Sequence, residues 1–358
     1  MTNVTISTMD RLLSRSDARR IRRASVDRQS RRGAAASALL GAALALGAGR
    51  ACAGWVGDAM DLMGTRVSVE LWDDDEEHGR MLVDAVMEDY QRIDREMSTY
   101  KPDSEITFVN EHAAEMPVPI SEELFSLIDV SLQFSVASHG AFDITYESVG
   151  YLYDFHAHLH PTEQQIKEHL GAVDYRHVVL DRGARTIKYT MPGVKINLGG
   201  IAKGYTVQHE ADFLRAHGVE HALLNAGGDT RVIGDRRGKP WIVGIRHPRL
   251  KEQVITRLPL VDEAISTAGD YERFFEEDGK RYHHVINPHT GKPTEGILTV
   301  SVIGPSGTYT DGLDTAIFVL GVKEGLELIK KYPEYETVIV DAGGKIYYSA
   351  GLEPPGGQ

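Results

Sequence analysis

The sequence predicts an α+β fold with a largely antiparallel or mixed sheet. Runs with the two-residue period of strands follow one another across short turns, and helical stretches separate these groups. No Walker-A motif and no Rossmann G-x-G-x-x-G fingerprint occurs, so the usual signs of a doubly wound nucleotide fold are missing. Roughly 300 residues remain once an N-terminal leader is set aside, enough for one large domain or two intimately packed lobes.

The leader occupies residues 1–53. It is Arg-rich up to Arg32, then small, apolar and uncharged over Gly33–Gly49, and it ends at Ala51-Cys52-Ala53, an A-x-A cleavage pattern. These features predict an export signal and a mature domain of residues 54–358. Ser30-Arg31-Arg32 is similar to a twin-arginine signal, without the large apolar residue that usually follows the pair. Cys52 is the chain's one cysteine, so the mature fold is expected to lack both a disulfide and a thiol nucleophile. A lipidated Cys52, with peripheral membrane association, is the alternative to plain cleavage, but Gly49-Arg50-Ala51 is a poor lipoprotein context. Residues 1–53 carry ten Arg and three Asp, a net of +7 within a chain total of −13, which leaves −20 for the mature part. Such an excess of negative charge argues against nucleic acid or an anionic membrane as partner. It also requires that any phosphorylated ligand be met by a metal or by local backbone donors.

Asp61–Trp72 alternates after its glycine and reads as a strand. Glu76–Ser98 reads as a long helix with Leu82, Val83, Val86, Met87, Tyr90 and Ile93 on its core face, broken at Thr99–Asp103. Ser121–His139 is a second helix, with Ser121 as N-cap and Gly140 closing it. Thr162-x-x-Gln165 has the form of a capping box on a short helix ending at Gly171. Strands are expected at 175–181, 186–191 and 194–198, then a helix over Gly200–His217 and a strand at His221–Leu224. Further strands are expected near 230–234, 241–246, 253–260, 273–277 and 281–286, the last two across an Asp-Gly turn. A strand at 298–303, helices at 308–321 and 323–331, and a hairpin at 336–348 complete the chain.

The helix Thr308–Gly321 carries the strongest local hint of chemistry. Leu313, Ala316, Ile317 and Leu320 share one arc, and Asp311, Asp314 and Thr315 share the opposite arc at i, i+3 and i+4. Two carboxylates and a hydroxyl are hard oxygen donors of the kind that holds Mg²⁺ beside a phosphate. Acids in a first turn also suit the positive end of a helix dipole, so the pattern alone leaves both readings open.

Other segments are ambiguous singly. Val194–Gly204 runs strand, Gly-Gly, helix start, where backbone N–H groups and Lys203 could meet an anion, or where a tight turn simply carries a surface lysine. Asn225-Ala226-Gly227-Gly228-Asp229 reads as a turn. His283 and His284 stand before a turn, where a histidine can serve as general base or as a structural group. His156, His158 and His160 form an alternating triplet without a zinc-like partner and read as a polar loop.

The order of these segments is more telling than any one of them. Met63-Gly64-Thr65, MSTYKPDSEI at 97–106, AFDIT at 141–145, INLGGIAKGY at 196–205, NAGGD at 225–229, HHVINPHTGKP at 283–293 and TDGLDTA at 310–316 form a series over roughly residues 58–350. That series closely resembles the ApbE family of FAD:protein FMN transferases. The resemblance implies an ApbE-like fold of two packed lobes with the flavin site between them. It also implies a Mg²⁺-dependent envelope enzyme that takes FAD, attaches FMN through its phosphate to a Thr or Ser of a partner protein, and releases AMP. The partner would be a flavoprotein subunit of a respiratory or redox complex. By the same resemblance Met63, Tyr100, Ala141, Phe142, Asp143, Asn197, Lys203, Val285 and Ile286 match flavin- or FAD-contacting positions. Asp311, Asp314 and Thr315 match the metal positions, with Gly200 offering its backbone oxygen, and His284 matches the group that helps to activate the acceptor hydroxyl. Position 197 is often Asp in the family and is Asn here, a lost charge expected to retune affinity. Two alternatives stand beside this reading: a Mg²⁺-dependent FAD pyrophosphatase using water in place of the acceptor, and a periplasmic FAD-binding protein without turnover.

Overall fold

The computed structural model describes residues 53–250 and 253–352. The expected leader lies outside the described residues but for Ala53, and so does Cys52. The chain opens with a hairpin, β1 (Gly54–Leu62) and β2 (Thr65–Asp73). Asp61–Trp72 is therefore two strands and not one. The turn falls at Met63 and Gly64, both with positive φ, the backbone that a tight hairpin of right-handed twist requires. The alternation of β1 is weak because only Val56 is buried in it, as suits an edge strand.

Helix α1 (Glu76–Met97) buries the predicted face, and Asp75 caps it by accepting from the N–H groups of Glu77 and His78. A short helix absent from the sequence reading, α2 (Glu105–His112), follows on an N-cap at Ser104 and buries only Ile106 and Val109. Strand β3 (Val118–Pro119) leads to α3 (Glu122–Ala137), capped by Ser121 as predicted. The capping box of Thr162 and Gln165 forms at the head of α4 (Glu163–His169). Strands β4 (Val178–Asp181) and β5 (Thr186–Tyr189) complete a three-stranded sheet with β3 in the order β3-β5-β4. The expected strand at 194–198 does not pair in a ladder. Side chains hold it instead: Asn110 bonds both backbone groups of Ile196, at 2.7 and 2.9 Å, and Ser148 Oγ takes the Lys195 N–H at 2.9 Å.

After α5 (Ala202–Ala216) come β6 (Ala222–Ala226), β7 (Asp229–Ile233), and the separate hairpin β8 (Trp241–Arg246) with β9 (Val254–Leu260). Strand β10 (Ala264–Gly269) is central, yet its AISTAG sequence carries little of the β-branched bulk that marks a strand. Two hairpins, β11 (Phe274–Glu277) with β12 (Lys280–His283) and β13 (Ile286–Asn287) with β14 (Lys292–Pro293), precede β15 (Ile297–Gly304). The two expected C-terminal helices run on as α6 (Gly307–Ile329), kinked where Gly321 takes φ 77°. Strands β16 (Glu336–Asp341) and β17 (Ile346–Tyr348) close the chain.

An eight-stranded sheet of order β1-β2-β6-β7-β10-β15-β16-β17 forms the frame, antiparallel at every pairing. The α+β expectation holds, and the described residues form one compact unit. Helix α6 is buried on both its arcs, Leu313, Ala316 and Ile317 on one and Asp311 and Asp314 on the other. Phe134 of α3 packs so closely on Gly312 that a Cβ there would stand 2.6 Å from its ring. Among the described residues, no helix is long and apolar enough to cross a membrane.

Candidate functional site

Helices α5 and α6 cross at two glycines, and the crossing builds the site. A Cβ on Gly204 would come closer than 3.0 Å to the Gly307 carbonyl oxygen and to Asp311 Cβ, so only glycine lets the backbones meet here. The close approach lets the Gly204 N–H, an otherwise orphan donor in the first turn of α5, donate to Asp311 Oδ2 at 2.8 Å. Lys203 Nζ lies 3.2 Å from Asp229 Oδ2 and 3.8 Å from Asp311 Oδ2, and donates to the Gly199 carbonyl at 3.3 Å. Asp229, Asp311 and Asp314 are all buried, with carboxylate oxygens within 4.8 Å of one another. Asp229 opens β7 at the end of the Gly-Gly turn, and the sequence reading did not count it among the ligands. Its signal was its place as the last residue of NAGGD, which only proximity to α6 turns into chemistry.

Three carboxylates face one ammonium, and the imbalance shows in the proton affinities of Asp311 and Asp314. Burial, then the charge of Asp229, pushes Asp311 up to about 7 against the pull of Lys203. Burial and the neighbouring Asp311 push Asp314 well above the carboxylate range. Burial disfavours the charged Lys203, but Asp229, Asp311 and Asp314 outweigh it and hold the group firmly protonated. A divalent cation bound by hard oxygens would relieve this strain, so the donor set fits Mg²⁺. Thr315 Oγ1 donates to Asp314 Oδ1 at 3.2 Å, and Gly200 lies against Thr315, where a Cβ would meet Oγ1 at 3.2 Å. The four residues named from the sequence as metal candidates therefore lie close together, with Asp229 beside two of them.

The histidine pair divides its work. His283 Nε2 lies 2.7 Å from the Thr294 carbonyl and its ring meets Phe318 edge-on, so it is structural. His284 donates its backbone N–H to the Arg273 carbonyl at 3.1 Å, while its Nδ1 is buried without a hydrogen-bond partner. Burial, then the charges of Arg273, His283 and Lys203, lowers it to about 3, so the free imidazole is neutral at pH 7.

The flavin-side positions are less uniform. Met63 sits at the β1–β2 turn and accepts from Arg273 Nη2 through its carbonyl at 3.0 Å. Ala141 and Phe142 are buried, and the Phe142 ring would lie 3.5 Å from a Cβ on Gly200. Tyr100 is 80% exposed beyond α1. Asp143 is committed to its own loop, where its carboxylate accepts from the Thr145 N–H and hydroxyl at 2.8 and 2.6 Å and from the Tyr175 N–H at 2.8 Å. Val285 and Ile286 are both buried but diverge, Val285 into the main core and Ile286 toward Val149, Tyr153 and Ile166. Asn197 accepts from the Gly199 N–H at 2.7 Å and donates to Thr99 Oγ1 at 3.2 Å and to Glu147 Oε2 at 3.0 Å. Burial raises Glu147 to about 7 while Asn197 and Lys195 oppose it. An Asp at 197 would set two carboxylates in contact, so the amide here goes with a carboxylate supplied by Glu147. The His156–His160 loop, read as polar, stacks on hairpin β11–β12: His160 lies on Tyr282 at 4.3 Å and His158 on Phe275 at 5.3 Å.

Comparison with known proteins bears on this arrangement. The profile of the ApbE family matches residues 63–350. A FAD:protein FMN transferase of Klebsiella pneumoniae is 30% identical over 293 residues, 81% of this chain and 90% of the relative. One of Treponema pallidum is 32% identical over 280 residues, 73% of this chain and 77% of the relative. Among solved structures, the ApbE protein of Thermotoga maritima superposes with a TM-score of 0.78 at 32% identity, covering 84% of this chain and 98% of that one. The flavin transferase ApbE of Vibrio cholerae does so with a TM-score of 0.75 at 26% identity, covering 85% and 99%.

Proposed function

The chain belongs to the ApbE family, and on that premise we propose that it is a FAD:protein FMN transferase that uses Mg²⁺ and releases AMP. The observation that carries the finer reading is the gathering of Asp229, Asp311 and Asp314 around Lys203 beside a neutral, unpartnered His284. In the reaction the hydroxyl oxygen of an acceptor Thr or Ser bonds to the FMN-side phosphorus of FAD. The pyrophosphate bridge breaks, AMP leaves with the bridging oxygen, and the hydroxyl proton passes to the protein. Asp229, Asp311, Asp314, Thr315 and the Gly200 carbonyl would hold Mg²⁺, which when bound neutralises phosphate charge and stabilises the leaving group.

The chain's own residues account for the rest. Lys203 offsets the acids and holds them at the crossing of α5 and α6. His284 is neutral in the free protein, and its Nδ1 has no hydrogen-bond partner. An anionic ligand between it and the cations Arg273 and Lys203 would offset their charge and raise its basicity, as general base catalysis needs. Phe142 and Met63 offer apolar surface to the flavin ring. We propose further that residues 54–358 act as one domain in the bacterial envelope after removal of the leader, on a flavoprotein subunit of a redox complex.

The test is to incubate the protein with FAD, Mg²⁺ and a Thr-bearing acceptor and to look for flavin fluorescence on a denaturing gel. A fluorescent acceptor band with stoichiometric AMP is expected. AMP and free FMN without a labelled band would replace the transferase with a pyrophosphatase. FAD retained through EDTA with neither product would leave a binding protein.

A further inference from the structure

Arg273 stands in the segment between β10 and β11, and its guanidinium reaches back to the opening hairpin. Its Nη2 donates to the Met63 carbonyl at 3.0 Å, and a Cβ on Gly64 would fall within 3.0 Å of that nitrogen, so Gly64 makes room for it. That carbonyl is the guanidinium's one hydrogen-bond partner among the described residues, and the group makes no ion pair with any of them. Its neighbours Arg249 and Arg281, by contrast, are both drawn to Asp270, at 2.5 and 3.8 Å. A guanidinium presents several donors in a rigid fork suited to phosphate, and here most of that fork is unused.

Its surroundings specify what it waits for. The charge of Arg273 reaches His284 and Tyr146, and His284 also feels Lys203. His284 therefore feels two cations, and its buried Nδ1 has no partner. Lys203 is already engaged by Asp229 and Asp311. A pyrophosphate carries more negative charge than a cation on the acid side alone would balance, and the mature chain, at −20, offers little help from afar. Arg273 is the other cation whose charge reaches His284.

We infer that Arg273 binds a phosphate oxygen of the flavin nucleotide. This rests on the flavin-transferase reading and adds to it a ligand contact that the motif series did not mark. Arg273 is then a substrate-binding residue, and its bond to the Met63 carbonyl aims the fork.

The test is a set of flavin-fluorescence titrations of the full chain, as wild type, R273Q and R273K, with riboflavin, FMN and FAD in Mg²⁺. Losing a charge-assisted contact to phosphate should weaken FMN and FAD binding in R273Q by about ten- to a hundredfold. Riboflavin, which has no phosphate, should bind R273Q as it binds the wild type, and that also reports an intact fold. R273K, which restores the charge without the fork, should recover part of the loss. Equal weakening of riboflavin would overturn the inference by assigning Arg273 to the ring pocket through Met63, as would unchanged FAD binding in R273Q. A wild type that binds none of the three would instead remove the flavin-transferase reading and this inference with it.

Discussion

Replacing Gly204 by Ala tests the idea that a backbone crossing, rather than the acids alone, makes the site. The new methyl would lie closer than 3.0 Å to the Gly307 carbonyl oxygen and to Asp311 Cβ, and neither can swing away, because both belong to the framework of α6. The helices must part by about 1 Å, the scale of misplacement that costs an enzyme about a hundredfold in rate. The parting also stretches the bond from the Gly204 N–H to Asp311 and alters the reach of Lys203. Overpacking of this kind destabilises by about 1–3 kcal/mol. A domain of this size should then lose roughly 2–4 °C in Tm for each kcal/mol. The assay pairs thermal unfolding with FMN transfer from FAD to an acceptor. Gly171→Ala serves as control, since a Cβ there meets nothing within 4 Å. G204A that melts and transfers like the wild type would refute the argument that the crossing sets the carboxylate geometry.

Three further outcomes are expected. Asp229→Asn should raise the Mg²⁺ concentration for half-maximal transfer by roughly tenfold, the scale of one lost ligand-sphere interaction. Its Tm in EDTA should not fall, because one of three mutually repelling buried acids is gone; an unchanged Mg²⁺ requirement would remove Asp229 from the ligand set. His284, lowered to about 3, should show no ring titration between pH 5 and 8 by NMR in the free protein. Its contribution to stability is present above its unfolded value of 6.5 and is lost as pH falls toward 3, so a midpoint near 6.5 would contradict its burial among positive charges. Burial and Asp89 raise Glu210 on α5 to about 9, and the unfolded chain releases that proton above 4.5. The ordinary acid thus costs more stability as pH climbs from 4.5 to 9, and Glu210→Gln should raise Tm at pH 8 by at least ~2–4 °C, about 1 kcal/mol, with no gain at pH 4. A gain independent of pH would point to packing instead of linkage.

The legibility of the chain followed the strength of local signals. Helix α1 could be read from its stripe of Leu82 to Ile93, and α4 from its capping box, because both signals are contained within a few turns of chain. Strand β10 could not, since Ala264–Gly269 owes its place to neighbours on either side and to a helix lying on it, with Ser266 and Thr310 hydroxyls 2.8 Å apart. The segment 194–198 has the composition of a strand but spends its backbone bonds on Asn110 and Ser148, a pairing across long sequence separations that alternation does not encode.

By itself the sequence determined the α+β class and the order of the motifs, and it offered Asp311, Asp314, Thr315 and His284 as candidates for chemistry. Residue type and helical spacing are properties of the chain alone. The tertiary structure decided which of these groups meet. It added Asp229 to the acids and set Glu147 against Asn197. It assigned His283 to structure and left His284 Nδ1 unpartnered, and it brought Arg273 to Met63 from 210 positions away in sequence. Burial decided the electrostatics as well, because desolvation is what raises Asp311 and lowers His284. Charge is written in the sequence, but the medium around it is made by the fold.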